Sequence, residues 1–284
     1  MTPKRPLIRY HGAKWRLAPW IIRHLPPHRC YVEPFGGAAG VLLQKDRVHA
    51  EVYNDLDGDV VNLFQVLRDP GLSARLIELV ALTPYARDEF ESAYEPTGDR
   101  VERARRTIIR ATMGFGSAGA TKGTTGFRID TRRKHGTAQQ LWTRYPETLR
   151  PLIQRLAGVM IENRPALDVV QQHDAPDTLF FVDPPYMHET RYAGARHGRY
   201  YEHEMSDKDH VELLGVLREV QGMVALSGYP SSLYDEALSG WAVATTSARI
   251  SAGRGTAVRT ERLWLNPACV EALNHAGLFS AEDS

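Results

Sequence analysis

The run Leu179-Phe-Phe-Val-Asp183-Pro184-Pro185-Tyr186 carries an apolar, strand-forming stretch straight into an acid, two prolines and an aromatic ring. Consecutive prolines fix φ and remove backbone donors, so the turn offers acceptors in a rigid array. The Asp183 carboxylate and the Pro184 carbonyl can each accept one hydrogen of a primary aromatic amine. Such an amine is a poor nucleophile because its lone pair is delocalised into the ring. Fixed acceptors for both hydrogens favour a pyramidal nitrogen with its lone pair aimed at an electrophile. Tyr186 adds a flat surface on which a base can stack once it has left a duplex. Read without chemistry, the same four residues are a stiff strand ending with an acid at the surface.

Two further segments have residue types suited to a ligand. Glu33-Pro34-Phe35-Gly36-Gly37-Ala38-Ala39-Gly40 follows a strand and reads as opening a helix over Ala38 to Lys45. Glycine there lets a ligand approach the backbone, and a helix N-terminus favours a carboxylate. The spacing is not the GxGxxG of dinucleotide binders, which argues against hydride transfer. Asn54-Asp55 ends the next strand, with Asp55 eighteen positions after Gly37, where an acid accepts hydrogen bonds from ribose hydroxyls. A bare acid at a strand end is otherwise a cap.

The elements that must position these residues fall in two groups. Strand patterns occur at Cys30 to Pro34 and Ala50 to Tyr53, then at Gly158 to Ile161, Leu179 to Val182, Met223 to Leu226, Trp241 to Ser247 and Glu261 to Leu265. Helical patterns lie at Trp15 to Leu25, Ala166 to Gln172 and Asp207 to Val220, the last with Ser206 as N-cap. Seven strands interleaved with helices predict a doubly wound α/β sheet whose last two strands form an antiparallel hairpin at one edge. Ligand then belongs at the carboxyl ends of the strands. Between the groups, Val60 to Leu67, Leu72 to Leu82, Asp88 to Tyr94 and Glu102 to Met113 read as helices, followed by a glycine-rich stretch from Gly114 to Gly126. The expected organisation is a discontinuous catalytic domain, 1–58 and 156–284, with a helical insertion over 59–155.

Charge separates this insertion from the rest. The 284-residue chain has a net charge of +1, yet from Arg100 to Arg155 thirteen Lys or Arg face only Glu102, Asp130 and Glu147. A solvated helix face is one reading of such a run. With the glycine loop and the aromatic residues Phe115, Phe127, Trp142 and Tyr145 beside it, a phosphate-contacting surface is the other, and the preferred one. With 43% hydrophobic and 24% charged residues, the composition is that of a folded chain. Cys30 and Cys269 lack CxxC spacing, so neither a disulfide framework nor a zinc site is expected. Without an apolar leader or spanning run, a cytoplasmic protein with no membrane association is expected.

Together with Arg9-Tyr10-His11-Gly12-Ala13-Lys14-Trp15, these motifs resemble the Dam-type (alpha-order) class of adenine-specific DNA methyltransferases. The resemblance runs from Leu7 to about Asn266 and follows the family's order of motifs; Arg259-Thr-Glu-Arg-Leu-Trp-Leu-Asn266 is similar to its final strand. It implies a seven-stranded, Rossmann-like methyltransferase sheet with an inserted, mainly helical target-recognition domain. It also implies S-adenosylmethionine as donor, no metal, double-stranded DNA as partner, and a monomer or homodimer. The implied reaction is direct in-line transfer to the exocyclic nitrogen of a flipped adenine, with Asp183, Pro184, Pro185 and Tyr186 catalytic. The implied donor site comprises Tyr10, Lys14 at the methionine end, Glu33, Phe35, Gly37, Asp55 and Asp183. DNA contacts fall to Lys122, Thr124, Thr125, Arg128, Arg132 and Arg133 in the insertion, and to Arg191 and Arg196 in a flap from Met187 to Tyr201. Three positions depart from the family pattern. His11 replaces a proline or alanine, Ala39 a glycine, and Pro165 an acid that often contacts the donor's adenine ring, with Asp168 nearby.

Rival readings are a protein-glutamine or RNA methyltransferase, which more often leads the tetrad with Asn, a cytosine N4 methyltransferase, which more often leads it with Ser, and a silent DNA-binding protein. The basic insertion favours nucleic acid over protein, and the retained Lys14, Asp55 and Asp183 favour an enzyme.

Overall fold

In a computed structural model, residues 3–116, 120, 125–129, 136–190, 202–252 and 255–277 are described. Seven strands form one sheet: β1 Cys30–Glu33, β2 Ala50–Asn54, β3 Met160–Glu162, β4 Thr178–Val182, β5 Met223–Gly228, β6 Ala242–Ala252 and β7 Gly255–Leu265. Their order is β3-β2-β1-β4-β5-β7-β6. The first five run parallel, β7 pairs antiparallel with β5, and β6 pairs antiparallel with β7. The chain therefore winds outward in both directions from the β1/β4 junction, and a ligand site is expected at the carboxyl ends there.

Strand period accounts for the packing on both faces. Val32, Val52, Phe180, Val182, Val224, Leu226 and Trp264 belong to one buried cluster with Val169, Leu213, Leu214, Leu217 and Leu238. Those partners come from or adjoin α8 Ala166–Gln172, α9 Asp207–Glu219 and α10 Ser232–Ala237. The alternate residues Tyr31, Tyr53, Leu179, Phe181, Met223, Ala225, Leu263 and Leu265 belong to a second cluster on the opposite face. That cluster is continuous with side chains of α1 Ala18–Arg23, of α11 Pro267–His275, and of the helices between β2 and β3. The latter are α2 Gly58–Arg68, α3 Pro70–Leu82, α4 Arg87–Ser92, α5 Arg100–Met113, α6 Ala138–Thr143 and α7 Tyr145–Leu156. The segment between β2 and β3 is thus helical, and its buried residues share one core with the sheet. No helix among the described residues is long and apolar enough to cross a membrane.

Local sequence sets the helix starts. Asp57 accepts from the backbone N–H groups of Asp59 and Val60 to begin α2, and Asp99 does the same for Val101 and Glu102 in α5. Ser206 and Asp209 form a capping box at α9. The helix expected over Ala38 to Lys45 does not form; the segment is a series of turns. Gly37 and Ala39 hold left-handed φ values of 46° and 53°. The buried Glu33 carboxylate takes the Leu42 N–H at 2.7 Å, which removes a donor from the helical ladder. A helix N-terminus is therefore not what the glycine turn presents to a ligand.

The basic run is also corrected in part. At least five of its thirteen cations are held in ion pairs within the protein: Arg103 and Arg110 with Asp59, Arg105 with Glu89 and Glu102, Arg106 with Glu102, and Arg155 with Glu51. Three of the four aromatic residues are packed inward. Phe127 lies among Tyr85 and Phe90, the Trp142 indole donates to the Thr83 carbonyl, and Tyr145 stacks on Trp142 and donates to the Leu7 carbonyl. Only Phe115, 74% exposed just past α5, faces solvent.

Candidate active site

Each residue row on the face of Tyr31 and Phe181 turns polar where its strand ends. Tyr31 is followed by Glu33 on β1, Tyr53 by Asp55 after β2, Phe181 by Asp183 after β4, and Ala225 by Ser227 on β5; on antiparallel β7, Leu265 and Leu263 precede Glu261. The sheet thus lays a line of polar side chains along its carboxyl edge, beside a cleft of about 880 Å³ up to its open mouth. All seven residues expected to hold the donor, Tyr10, Lys14, Glu33, Phe35, Gly37, Asp55 and Asp183, line this cleft. Pro185 lines it as well.

At one end of the cleft the backbone is drawn close to Asp55. Its Oδ2 accepts the Gly37 N–H at 2.7 Å and its Oδ1 the Asp57 N–H at 2.8 Å. A carboxylate has about four acceptor sites, so these backbone contacts leave capacity for a ribose hydroxyl. The turn needs glycine: a Cβ at Gly37 would lie 2.9 Å from the Tyr10 ring, and one at Gly36 would overlap the Tyr53 ring and come within 2.9 Å of the Asn54 carbonyl. Asn54 fixes the neighbouring loops, donating to the Pro34 and Arg164 carbonyls and accepting the Arg164 N–H. Burial raises the Asp55 carboxyl above the usual range, and burial with the nearby Asp55 charge lifts Asp57 to about 6. Asp57 lines the cleft beside Leu56 and Ala166, next to Pro165. Asp168 is exposed and is not among the lining residues.

At the other end stands the tetrad. Lys14 Nζ lies 2.8 Å from Asp183 Oδ1, donates to the Gly12 carbonyl at 2.9 Å, and sits 4.7 Å from the centre of the Tyr186 ring. The ammonium is therefore at the tetrad acid. Burial raises the Asp183 carboxyl, while the Lys14 charge opposes that rise. Tyr186 Oη donates to Glu261 Oε2 at 2.8 Å and lies 3.0 Å from Ser227 Oγ; its ring meets Tyr229 edge-on at 4.6 Å between centroids. Glu33 is 2% exposed and accepts from Tyr31 Oη and the Leu42 N–H, each at 2.7 Å. Burial pushes its carboxyl up to about 7, with the Asp183 charge adding to the rise.

Of the residues expected to meet DNA, Lys122, Thr124, Arg132, Arg133, Arg191 and Arg196 lie outside the described residues, as does most of the expected flap. Thr125 is tied to the Tyr94 hydroxyl through its N–H and Oγ1. Arg128 is 7% exposed, and its backbone bonds to Met113 and to Tyr85 Oη. Beyond the flap, Glu202, His203, Glu204 and Met205 return to line the cleft. Sequence reasoning passed over these four, Asn54 as a clamp, and the Ser227/Glu261 pair. The last had a visible signal: an acid interrupting an otherwise apolar alternation, as in the strand that carries Glu33.

Residues 10–244 match the family model described as D12 class N6 adenine-specific DNA methyltransferase. The chain is similar to the DNA adenine methylase of Serratia marcescens, 35% identical over 68 residues, covering 24% of this chain and 25% of that protein. It is 34% identical to the DNA adenine methylase of Escherichia coli K12 over 68 residues, 24% of each. These alignments thus span about a quarter of the length of either relative. Among solved structures, an S-adenosylmethionine-dependent methyltransferase from Agrobacterium tumefaciens aligns with a TM-score of 0.39 at 12% identity, over 90% of this chain and 62% of that one.

Proposed function

Because the chain belongs to the D12 class of N6 adenine-specific DNA methyltransferases, we propose that it methylates the exocyclic amino nitrogen of adenine in duplex DNA, using S-adenosylmethionine. The observation that carries this reading is the seat of the Lys14 ammonium. A charged N–H donor rests against Asp183 at 2.8 Å and beside the face of Tyr186 at 4.7 Å, so the tetrad acid faces a position that an amine hydrogen can occupy, with an aromatic surface next to it.

The donor, when bound, supplies an electrophilic methyl group on a positively charged sulfur. Asp55 would take the ribose hydroxyls, Gly37 and Phe35 would border the chain's closest approach to it, and Leu56 and Asp57 would flank the purine. Lys14 gives up Asp183 as the base enters. The Asp183 carboxylate and the Pro184 carbonyl then accept the two amino hydrogens, and Tyr186 stacks against the ring of a base that has left the helix. Catalysis rests on positioning and on acceptors that need no reorganisation. The helical segment between β2 and β3 reads the duplex, through Lys122, Thr124, Arg132, Arg133 and the exposed Phe115, whereas Arg128 is buried and Thr125 is tied to Tyr94. A cytoplasmic site of action suits a DNA substrate.

The test is transfer of labelled methyl from donor to duplexes that contain or lack adenine, with the modified base identified by hydrolysis and chromatography. Label on N6-methyladenine is expected, and Asp183→Ala should abolish it while far-UV circular dichroism shows the fold retained. Label confined to cytosine, or full activity of the variant, would defeat the assignment.

A further inference from the structure

Glu261 lies on β7, two residues beyond Leu263 in a row whose earlier members are apolar and buried. It is itself 5% exposed. An acid there costs desolvation that a leucine would avoid, and a buried carboxylate is expected to have a specific partner. Its partner is the hydroxyl of Tyr186, at 2.8 Å, which also lies 3.0 Å from Ser227 Oγ. Ser227 alone could satisfy the phenol, so satisfaction of the hydroxyl does not call for a carboxylate. What a carboxylate adds is a stronger, directional acceptor. It pins the hydroxyl end of a ring that Tyr229 meets edge-on and Lys14 Nζ overlies on one face.

Resting on the methyltransferase reading, we propose that Glu261 is a positioning residue for catalysis, holding Tyr186 so that its ring meets the extruded base at the angle that brings the amine onto Asp183. Its hydrogen-bond contact is with the Tyr186 hydroxyl, and that contact is the route by which it acts on the base. Burial raises the Glu261 carboxyl and Lys14 opposes that rise, which places it in the same electrostatic neighbourhood as Asp183.

A double-mutant cycle on the full chain tests this. Glu261→Leu should lower kcat on duplex DNA by about tenfold, the usual scale for loss of one charge-assisted hydrogen bond. Its donor Kd by calorimetry should stay within about twofold of the wild type, since this hydroxyl contact lies away from the ribose acid. Its thermal transition should be no lower. Glu261→Gln, which keeps an acceptor, should recover most of the rate. In a Tyr186→Phe background, which lacks the hydroxyl, Glu261→Leu should cause no further loss. Losses that multiply in the double variant, an unchanged kcat in Glu261→Leu, or a Gln variant as slow as the Leu variant would each overturn the assignment to Glu261 while leaving the adenine reading intact. A wild-type protein that never methylates adenine would overturn both.

Discussion

Asp183 shares its surroundings with two other buried acids, Glu33 and Glu261, and with Lys14. Ionised, its carboxyl is the stronger acceptor for an amine hydrogen. Burial works against ionisation, and the Lys14 ammonium at 2.8 Å works for it. The same lysine occupies the place the amine must take, so it promotes the charge state and competes for the site. Lys14→Met should separate these roles. The acid limb of the single-turnover rate, measured between pH 5 and 9 at saturating donor, should move to higher pH by about one to three units, the usual influence of an adjacent opposite charge. The plateau at high pH should survive, because the acceptors remain. An unmoved limb would mean that Lys14 does not set the ionisation of Asp183. Asp55→Ala, which removes both of its contacts to Gly37 and Asp57, should weaken donor binding by about tenfold or more while leaving the affinity for DNA unchanged; calorimetry against each ligand measures the two effects separately.

The fifth helix shows how a charge run can mislead. Its sequence, Arg100–Met113, contains five arginines and one acid, which reads as a surface for phosphate. Folding brings Asp59 from α2 and Glu89 from α4 onto it, and Arg103, Arg105 and Arg110 bind them. Arg110→Gln should therefore lower stability by about 1 kcal/mol, the scale of a partly exposed pair, and leave the slope of log K against log salt for DNA binding unchanged. A true phosphate contact would reduce that slope by about one. The partners of α5 lie more than ten residues away, so composition alone could not disclose them. The same holds for Ala38 to Lys45, whose helical pattern loses to Glu33 reaching across from β1 for the Leu42 N–H. By contrast the β4 strand and the turn that ends it were legible because everything they need is local: an unbroken apolar run, then two prolines that stop the strand. Tyr10 and Lys14 were placed at the cleft only through resemblance, since neither has a sequence mark of its own, whereas Asp55 was placed by its position after the glycine turn, and all three line the cleft. Glu261 was legible as an anomaly, but its target was not, because β7 is antiparallel and arrives from the far end of the chain.

The polar line from Asp55 and Glu33 through Asp183 to Ser227 and Glu261 puts several acids on the carboxyl edge of a sheet that is otherwise sealed on both faces. A cleft of this kind holds a cation well and carries a stability cost when nothing cationic is there. Glu33 allows that cost to be measured. Its carboxyl titrates at about 7 in the folded protein against an ordinary value of 4.5. Below 4.5 the group is protonated in both states and costs nothing. Between pH 4.5 and 7 the unfolded chain has released the proton that the folded chain keeps, so stability falls across that window at about 1.4 kcal/mol per unit, by about 3 kcal/mol in total, and the loss is complete above 7. Glu33→Gln retains an acceptor for Tyr31 Oη and the Leu42 N–H and has no proton to lose. Its thermal transition should match that of the wild type near pH 4.5, exceed it increasingly up to about pH 7, and hold that lead at pH 8. A gap between the two proteins that stays constant across this range would show that Glu33 is not protonated in the fold. A cationic ligand in the cleft should narrow the gap at pH 8 by offsetting the cost of the buried Glu33 charge. S-adenosylmethionine should therefore protect the wild type more than the Gln variant, and a neutral analogue lacking the sulfonium charge should protect the two more nearly alike.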